Sequence, residues 1–394
     1  MGLINEYINK KLGRQGLQEE LRRLIKEYNK KTGSYMLVHA TAMGRPLPIV
    51  VPLNMDDYFI INDMLRDINA KTLDYYIETP GGSGEAAEEI VKFLHNKFEK
   101  VTFVVSGQAM SAGTIMILSG NEIAMTKSGC LGPIDAQLKI GRTQISAYDY
   151  MSWIKEKSSS AERDAALNPL DAMMIAQISP GEIGLVDHTL QFAQDRVKEW
   201  LPKYKFKNWE ITETRKVKVT DDMKVQRAEE IAKCLIDRDR WRTHGRAIKI
   251  EDLEDIGLKI FHIDDKVEIA DIVYRIQTVV RLLLTGTTIY KLFMTADGKL
   301  FNEIIPAANQ PLVPQLDITQ AESVQTELTC NRCNKVHKIF AKFVNKPEID
   351  KMCKQKGFIP YPKNNILKCE CGNEINLSPI RNEMEKKARK KIIL

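Results

Sequence analysis

One segment sets the order of the elements around it, Leu73-Asp-Tyr-Tyr-Ile-Glu-Thr-Pro-Gly-Gly-Ser-Gly84, because it joins an apolar run to a glycine-rich turn. Residues 73–77 are typical of a buried strand, and Pro80 ends that strand before the glycines. The residues that follow predict a helix with acidic side chains in its first turns and apolar side chains at helical spacing, namely Ala87, Ile90, Val91, Leu94 and Phe98. Strand, turn and helix in this order are the start of a parallel α/β unit.

A second strand and a second turn come next. Val101 to Val105 predicts a short strand, and Ser111-Ala112-Gly113 opens an apolar helix. The N–H of Ala112 would have no partner within that helix, and Gly82 has no side chain to block approach to its own N–H. Two such donors beside a serine can form an oxyanion hole; ordinary turns of a parallel sheet are the alternative interpretation.

Strands and helices alternate to residue 119, which predicts a parallel sheet with right-handed crossovers. We expect a helical arm at residues 1–34, a core at 35–205 and a helical extension of the core at 206–290. A C-terminal domain at 291–394 would begin with a hairpin.

Three motifs resemble those of the Clp/crotonase-fold serine peptidases. They are Thr79-Pro-Gly-Gly-Ser-Gly84, Gly107-Gln-Ala-Met-Ser-Ala-Gly-Thr114 and Gly132-Pro-Ile-Asp135. The resemblance is closest to the serine dehydrogenase proteinase family, which is related to signal peptide peptidase A and to the proteolytic subunit of Clp protease. It implies a Clp/crotonase-like α/β fold, a homo-oligomer and hydrolysis of a protein or peptide substrate. It also implies Ser111 as nucleophile and the Gly82 and Ala112 amides as the oxyanion hole.

The general base is predicted from the same resemblance. The position of the histidine in the Clp peptidase is held here by Asp135, whereas the signal peptide peptidase branch uses a lysine on a later helix. Lys155, on the predicted helix 147–157, matches that lysine in kind and approximate distance. It must be uncharged to accept a proton, so we expect nearby apolar residues to desolvate it.

Other candidate bases, and a non-catalytic role for Lys155, remain open. Lys155 would otherwise be a solvated lysine on an amphipathic helix. Lys157 is the first alternative, followed by His188 and His95, although lone histidines are more often surface or packed residues.

Cysteines change the character of the chain after residue 306. Cys330-Asn-Arg-Cys333 and Cys369-Glu-Cys371 form two knuckles whose four thiolates suit a tetrahedral Zn²⁺. The second knuckle has one intervening residue instead of two, which leaves Cys353 and His337 as substitute ligands. We therefore expect a small zinc-ribbon-like domain with a structural zinc ion and no cofactor for catalysis.

Composition and hydropathy argue against a membrane-spanning or nucleic-acid-binding protein. The 394 residues are 43% hydrophobic, and their net charge of +6 permits acidic partners without requiring them. No stretch has the length of a membrane span, and the N-terminus has no apolar signal region, so we expect a cytoplasmic protein. Nucleic-acid binding is not expected, because no dense basic recognition helix is present.

The combined expectation is a serine endopeptidase with a Ser-Lys dyad. Two alternatives remain. One is a crotonase-type acyl-CoA enzyme, which uses a similar pair of amides. The other is a non-catalytic module whose zinc ribbon binds protein or nucleic acid.

Overall fold

A computed structural model describes residues 2–43, 51–134, 137–140, 143–164, 166–243, 245–304, 321–330, 332–333 and 335–393. The chain forms two compact units, residues 1–305 and residues 306–394. Leu47 to Val50, most of the link into the first helix of the core, lie outside the described residues, as does Asp135.

The helices of the first unit alternate with strands as far as residue 119, as predicted, and later helices follow one another. They are α1 Leu3–Asn9, α2 Arg14–Thr32, α3 Met55–Leu65, α4 Gly84–Lys97, α5 Ala112–Ile117, α6 Ala147–Asp164, α7 Pro169–Ile175, α8 Pro180–Trp200, α9 Asp221–Ile236, α10 Arg238–Trp241, α11 Ile250–Asp255 and α12 Val267–Gly286. A π-helical turn, Leu201–Lys205, follows α8, and a 3₁₀ turn, Ile263–Asp265, precedes α12.

The strands of this unit are β1 Tyr35–Thr41, β2 Thr72–Glu78, β3 Lys100–Val105, β4 Gln108–Ala109, β5 Glu122–Met125, β6 Cys130–Leu131, β7 Gln137–Ile140, β8 Thr143–Ser146, β9 Phe261–His262, β10 Ile289–Met294 and β11 Lys299–Glu303. Seven of them form one sheet in the order β11-β10-β1-β2-β3-β5-β9. Strands β1, β2, β3, β5 and β9 run parallel, while β10 pairs antiparallel with β1 and β11 pairs antiparallel with β10. The predicted α/β class with a parallel sheet is confirmed.

Both faces of the sheet are buried, which is why its strands read as continuous apolar runs. Tyr75, Phe103 and other inward residues of one face pack with α4, α5, α8 and α9. Alternate residues of the same strands, including Tyr76 and Val104, pack on the other face with α2 and α12. Residues 1–34 were expected to form an arm, but the apolar stripe of α2 lies in this second core and covers the sheet.

The hairpin β10–β11 belongs to the main sheet. Its first strand pairs antiparallel with β1, with Ala40 opposite Leu292. This pairing places the hairpin in the first unit rather than in the C-terminal domain predicted to begin at residue 291. The reason is burial: Ile289, Leu292, Phe293 and Met294 are inaccessible to solvent once they lie beside β1.

The second unit is small and mixed. Its elements are β12 Ser323–Thr329, β13 Val336–Lys342, α13 Pro347–Gln355, β14 Ile359–Pro360, β15 Ile366–Lys368, β16 Glu374–Asn376 and α14 Ser378–Ala388. Strands β12, β13 and β14 form one sheet, and β15 and β16 form a hairpin. An apolar core that includes Ile339, Tyr361 and Leu377 holds them together.

Across the described ranges, we find no helix with both the length and the apolar character needed to span a membrane.

Candidate functional site

The turn after β2 is held by a short backbone pairing. Leu53 forms a parallel bridge with Gly82: its N–H donates to the Gly81 carbonyl at 2.7 Å, and its carbonyl accepts from the Ser83 N–H at 2.9 Å. In such a bridge the residue between the two bonds directs its own N–H to the opposite side. The Gly82 N–H therefore faces away from Leu53, and it has no acceptor among the described residues.

Only glycine fits the centre of this turn. Gly82 has φ +148°, and a Cβ there would lie 2.3 Å from the Leu53 carbonyl oxygen. The helix beyond the turn is fixed by Ser83, whose hydroxyl accepts a 3.0 Å hydrogen bond from the Ala86 N–H as an N-cap. The glycine-rich motif thus serves both backbone geometry and helix initiation.

Ser111 occupies an uncommon backbone conformation at the start of α5. Its φ is +50° and its ψ is −117°, a region that a residue other than glycine rarely adopts. Although serine is a favoured N-cap, its hydroxyl makes no capping bond. A strained serine whose hydroxyl has no hydrogen bond among the described residues points to function.

The two turns are brought together by a second backbone pairing. Thr79 donates to the Gln108 carbonyl at 2.9 Å and accepts from the Met110 N–H at 3.0 Å. This bridge places Gly81 directly against the serine: a Cβ on Gly81 would lie 2.6 Å from Met110 O, 2.8 Å from Ser111 Cβ and 3.1 Å from Ala112 N.

The third motif supports the helix that carries the serine. The Thr114 hydroxyl lies 2.9 Å from both the Ala109 and Gly132 carbonyl oxygens and accepts from the Gly132 N–H at 3.0 Å. A Cβ on Gly132 would meet the Met110 side chain at 2.6 Å. All three motifs identified in the sequence therefore meet around Ser111.

The turns that meet at Ser111 contain two backbone donors without acceptors among the described residues. Ala112 is the first helical residue of α5, where an N–H has no intrahelical acceptor, and within the described part of the chain it has no other acceptor. The Gly82 N–H is the second such donor.

The lysines proposed as bases lie on α6. Lys155 is exposed, so the described residues do not form the apolar pocket expected around it, and Ala147 is the buried residue of α6. The Tyr150 hydroxyl, on the same helix, is hydrogen-bonded to Glu182. Lys157 lies 3.3 Å from Asp171, and hydrogen bonding to that carboxylate raises the pKa of Lys157.

The two histidines considered as bases lie on α8 and α4. His188 is exposed on α8. The ring of His95 stacks on Tyr204 with centroids 3.5 Å apart, and its Nε2 lies 2.9 Å from the Ser119 carbonyl oxygen. Burial lowers the pKa of His95 to about 4. In the described ranges, no hydrogen bond joins Ser111 to any of these histidines or to either lysine of α6.

Sequence reasoning missed the residues behind the glycine turn. Lys291 and Asp57 form a buried ion pair with an Nζ–Oδ1 distance of 2.7 Å, and Lys291 Nζ also lies 3.1 Å from the Pro52 carbonyl oxygen. The available signal was a lysine in the middle of the apolar strand Ile289–Met294. A charged residue at such a position is rarely buried without a partner.

A cluster of four cysteines lies in the second unit. The Sγ atoms of Cys330, Cys333, Cys369 and Cys371 all lie within 4.8 Å of one another. The separation is 3.7 Å between Cys330 and Cys371 and 3.6 Å between Cys333 and Cys369, far beyond a disulfide bond. Four thiolates about 2.3 Å from one tetrahedral Zn²⁺ would be separated by roughly 3.8 Å.

The surroundings of the cluster fit a metal. The backbone N–H groups of Arg332 and Cys333 donate to the Cys330 sulfur and lower the pKa of its thiol. Cys353, considered as a substitute ligand, is buried elsewhere against Phe340 and Ile349, and His337 is not part of the cluster.

The fold and the serine turn together define a class of protein, the α/β proteins that place a serine and two backbone amides at adjacent strand ends. Residues 4–195 match the family described as ClpP-like SDH-type serine proteinase. The chain is similar to that family over these residues, and the resemblance identified from its motifs is confirmed.

Other similarities are partial. Two uncharacterized proteins of Methanocaldococcus jannaschii are 27% identical over 202 residues and 29% identical over 122 residues. These alignments cover 50% and 29% of this chain, and 58% and 41% of the relatives, so the chain spans about half the length of the curated relatives it matches.

Two solved structures of the 1510-N membrane-bound stomatin-specific protease are also similar in part. A serine-to-alanine mutant has 14% identity and a TM-score of 0.31, covering 55% of this chain and 76% of that one. A lysine-to-alanine mutant, in complex with a substrate peptide, has 21% identity and a TM-score of 0.24, covering 36% and 72%.

Gly81→Ala tests the contact between the turns. The added Cβ would lie 2.6 Å from the Met110 carbonyl oxygen, and alanine rarely adopts the φ of +90° found at this position. We therefore expect the free energy of unfolding to fall by about 2–4 kcal/mol. The four tryptophans, Trp153, Trp200, Trp209 and Trp241, all lie in the first unit, and their fluorescence in urea measures this change.

Gly184→Ala in α8 is the matched control, because nothing lies within 4 Å of its Cβ position. It should raise stability by about 0.5–1 kcal/mol. Equal effects of the two substitutions would contradict the contact.

The buried position of His95 predicts a pH dependence of stability. The folded protein protonates His95 only near pH 4, while the unfolded chain does so near the ordinary histidine pKa of 6.5. The free energy of unfolding should therefore fall by about 1–2 kcal/mol as pH decreases through this window, allowing for the partly exposed ring. Urea titrations should show a smaller fall for His95→Gln and the full fall for the exposed control His188→Gln.

Proposed function

We propose that the protein is a serine endopeptidase in which Ser111 is the nucleophile. The observation that carries this proposal is the contact between the Gly81-Gly82 turn and Ser111. Among the described residues, the Ser111 hydroxyl and the N–H groups of Gly82 and Ala112 have no hydrogen-bond partner. The family match over residues 4–195 supports the same chemistry.

The reaction would follow from this geometry. Ser111 Oγ attacks the peptide carbonyl, its proton passes to the base, and the oxyanion accepts hydrogen bonds from the Gly82 and Ala112 amides. The protonated base then donates to the leaving amine, which leaves an acyl ester on Ser111. Water, deprotonated by the same base, hydrolyses the ester and regenerates the serine.

We propose Lys155 as that base, with Lys157 and then His188 as alternatives. Lys157 is held in an ion pair with Asp171 and therefore keeps its proton, whereas no ion pair with Lys155 occurs in the described ranges. Because Lys155 is exposed in the single chain, its desolvation must come from whatever covers α6. A bound peptide, or a second copy of the chain in a homo-oligomer, would supply this cover.

The cysteine cluster would hold one structural Zn²⁺ through Cys330, Cys333, Cys369 and Cys371. The ion would join the end of β12 to the β15–β16 hairpin, which lies in a unit with a small apolar core. We propose that this zinc-ribbon-like domain docks substrate or a partner protein and takes no part in catalysis.

Substitution of the dyad tests the peptidase proposal. Ser111→Ala and Lys155→Ala should each lower kcat for a casein-derived peptide at least about 10³-fold without unfolding the protein. Lys157→Ala serves as the control and should keep most of the activity. Full activity in Lys155→Ala would move the base elsewhere, and full activity in Ser111→Ala would contradict the nucleophile.

The source of desolvation has a kinetic signature. If bound substrate covers Lys155, the rise of kcat with pH should occur at lower pH than the rise of kcat/KM, because the two report the complex and the free enzyme. Coincident profiles would favour cover by a second copy of the chain.

Metal content tests the cysteine cluster. The purified protein should carry about one zinc ion per chain, and Cys369→Ser should lose it. Cys353→Ser, a buried cysteine outside the cluster, is the control and should retain it. Elemental analysis measures the zinc content. Faster cleavage of residues 321–393 by an added protease after the zinc is chelated measures the loss of structure. Zinc retained in Cys369→Ser would overturn this ligand set.

A further inference from the structure

We propose that Lys291 and Asp57 are positioning residues that hold the Gly82 amide in place for catalysis. This inference rests on the peptidase function proposed above. Neither residue touches the serine; both act through the segment 52–54.

The Lys291 ammonium group donates three hydrogen bonds. Its nitrogen lies 2.7 Å from Asp57 Oδ1, 2.8 Å from Asp57 Oδ2 and 3.1 Å from the Pro52 carbonyl oxygen. Its three donors therefore have three acceptors. The side chains of Lys291 and Asp57 are 3% and 0% exposed, so water does not compete for these contacts.

Pro52 immediately precedes the residue that pairs with the glycine turn. Leu53 bonds to Gly81 on one side of Gly82 and to Ser83 on the other. A shift of the Pro52 carbonyl would move Leu53, and the Gly82 N–H would move with it. Since an oxyanion donor must lie within a few tenths of an ångström of its position, such a shift would lower the rate.

Asp57 fixes the other end of the same segment. Its Oδ2 accepts a 3.0 Å hydrogen bond from the Asn54 N–H, and the Asn54 side chain caps the Asp57 N–H in return. Asp57 thus ties residue 54 to the start of α3, while Lys291 ties residue 52 to the sheet through β10.

A buried ion pair is a poor source of stability, because desolvation offsets most of the attraction. A pair of apolar residues would fill the same space as well. Unlike an apolar pair, the charged pair can bind the backbone of Pro52 and Asn54. These contacts hold segment 52–54, which pairs with the glycine turn through Leu53.

The test uses Lys291→Met and the charge-neutral double variant Asp57→Asn/Lys291→Met. Burial already raises the pKa of Asp57, so it can become protonated when the lysine is lost, and both variants are expected to fold. The matched control is Lys299→Met, a lysine on the neighbouring strand β11 whose Nζ contacts Gln18.

Four quantities are measured on the full chain: kcat for a peptide, KM for the same peptide, the affinity of a peptide aldehyde inhibitor, and the rate of hydrogen exchange of the Ser83 amide. We expect kcat to fall about 10–100-fold with KM within about twofold, and aldehyde affinity to fall by the same factor as kcat. Exchange of the Ser83 amide, which bonds to Leu53, should become at least about tenfold faster. Lys299→Met should change none of them.

Unchanged kcat and unchanged Ser83 exchange in the double variant would overturn the inference. A loss of kcat with unchanged Ser83 exchange would also overturn it, because the effect would then not pass through Leu53. If the unaltered protein shows no Ser111-dependent hydrolysis, the proposed function fails, and Ser83 exchange still decides whether Lys291 holds the turn.

Discussion

The pairing of Leu53 with residues 81 and 83 is the contact on which the rest of the site depends. Two hydrogen bonds to one residue determine the direction of the Gly82 N–H, and the closeness of the Leu53 backbone excludes any side chain at that position. The bridge between Thr79 and Ala109 then sets the distance from this turn to Ser111. In our proposal, backbone geometry alone therefore arranges two donors and a nucleophile, so few side chains need to be specified.

The acid–base part of the site is less complete in a single chain than the oxyanion part. The glycine turn and Ser111 lie on a rigid parallel sheet with both faces buried, whereas α6 has Ala147 as its buried residue and α7 has none. A base on such a helix acquires a suitable environment only when something packs over it. In our proposal, either bound substrate or a second chain supplies that surface.

Sequence patterns predicted the two turns that meet at Ser111 and missed the ion pair that contacts Pro52. Strand, turn and helix periodicity is enough to predict the turns that contain Ser111, Gly82 and Ala112, because each turn lies within a few residues of a recognisable strand end. The cysteine spacing located the four-thiol cluster for the same reason. Lys291 lies on β10 and Asp57 on α3, so the fold brings together two residues that are 234 positions apart in the sequence. The exposure of Lys155 also could not be read from periodicity, since an amphipathic helix has an apolar stripe whether or not a partner covers it.

A crystal structure with a peptide boronic acid would test the central claim most directly. The account predicts a covalent bond from Ser111 Oγ to boron, with one boronate oxygen about 2.7–3.1 Å from both the Gly82 and the Ala112 nitrogen atoms. A boronate bound to another residue, or bound to Ser111 with its oxygens directed away from these amides, would contradict it.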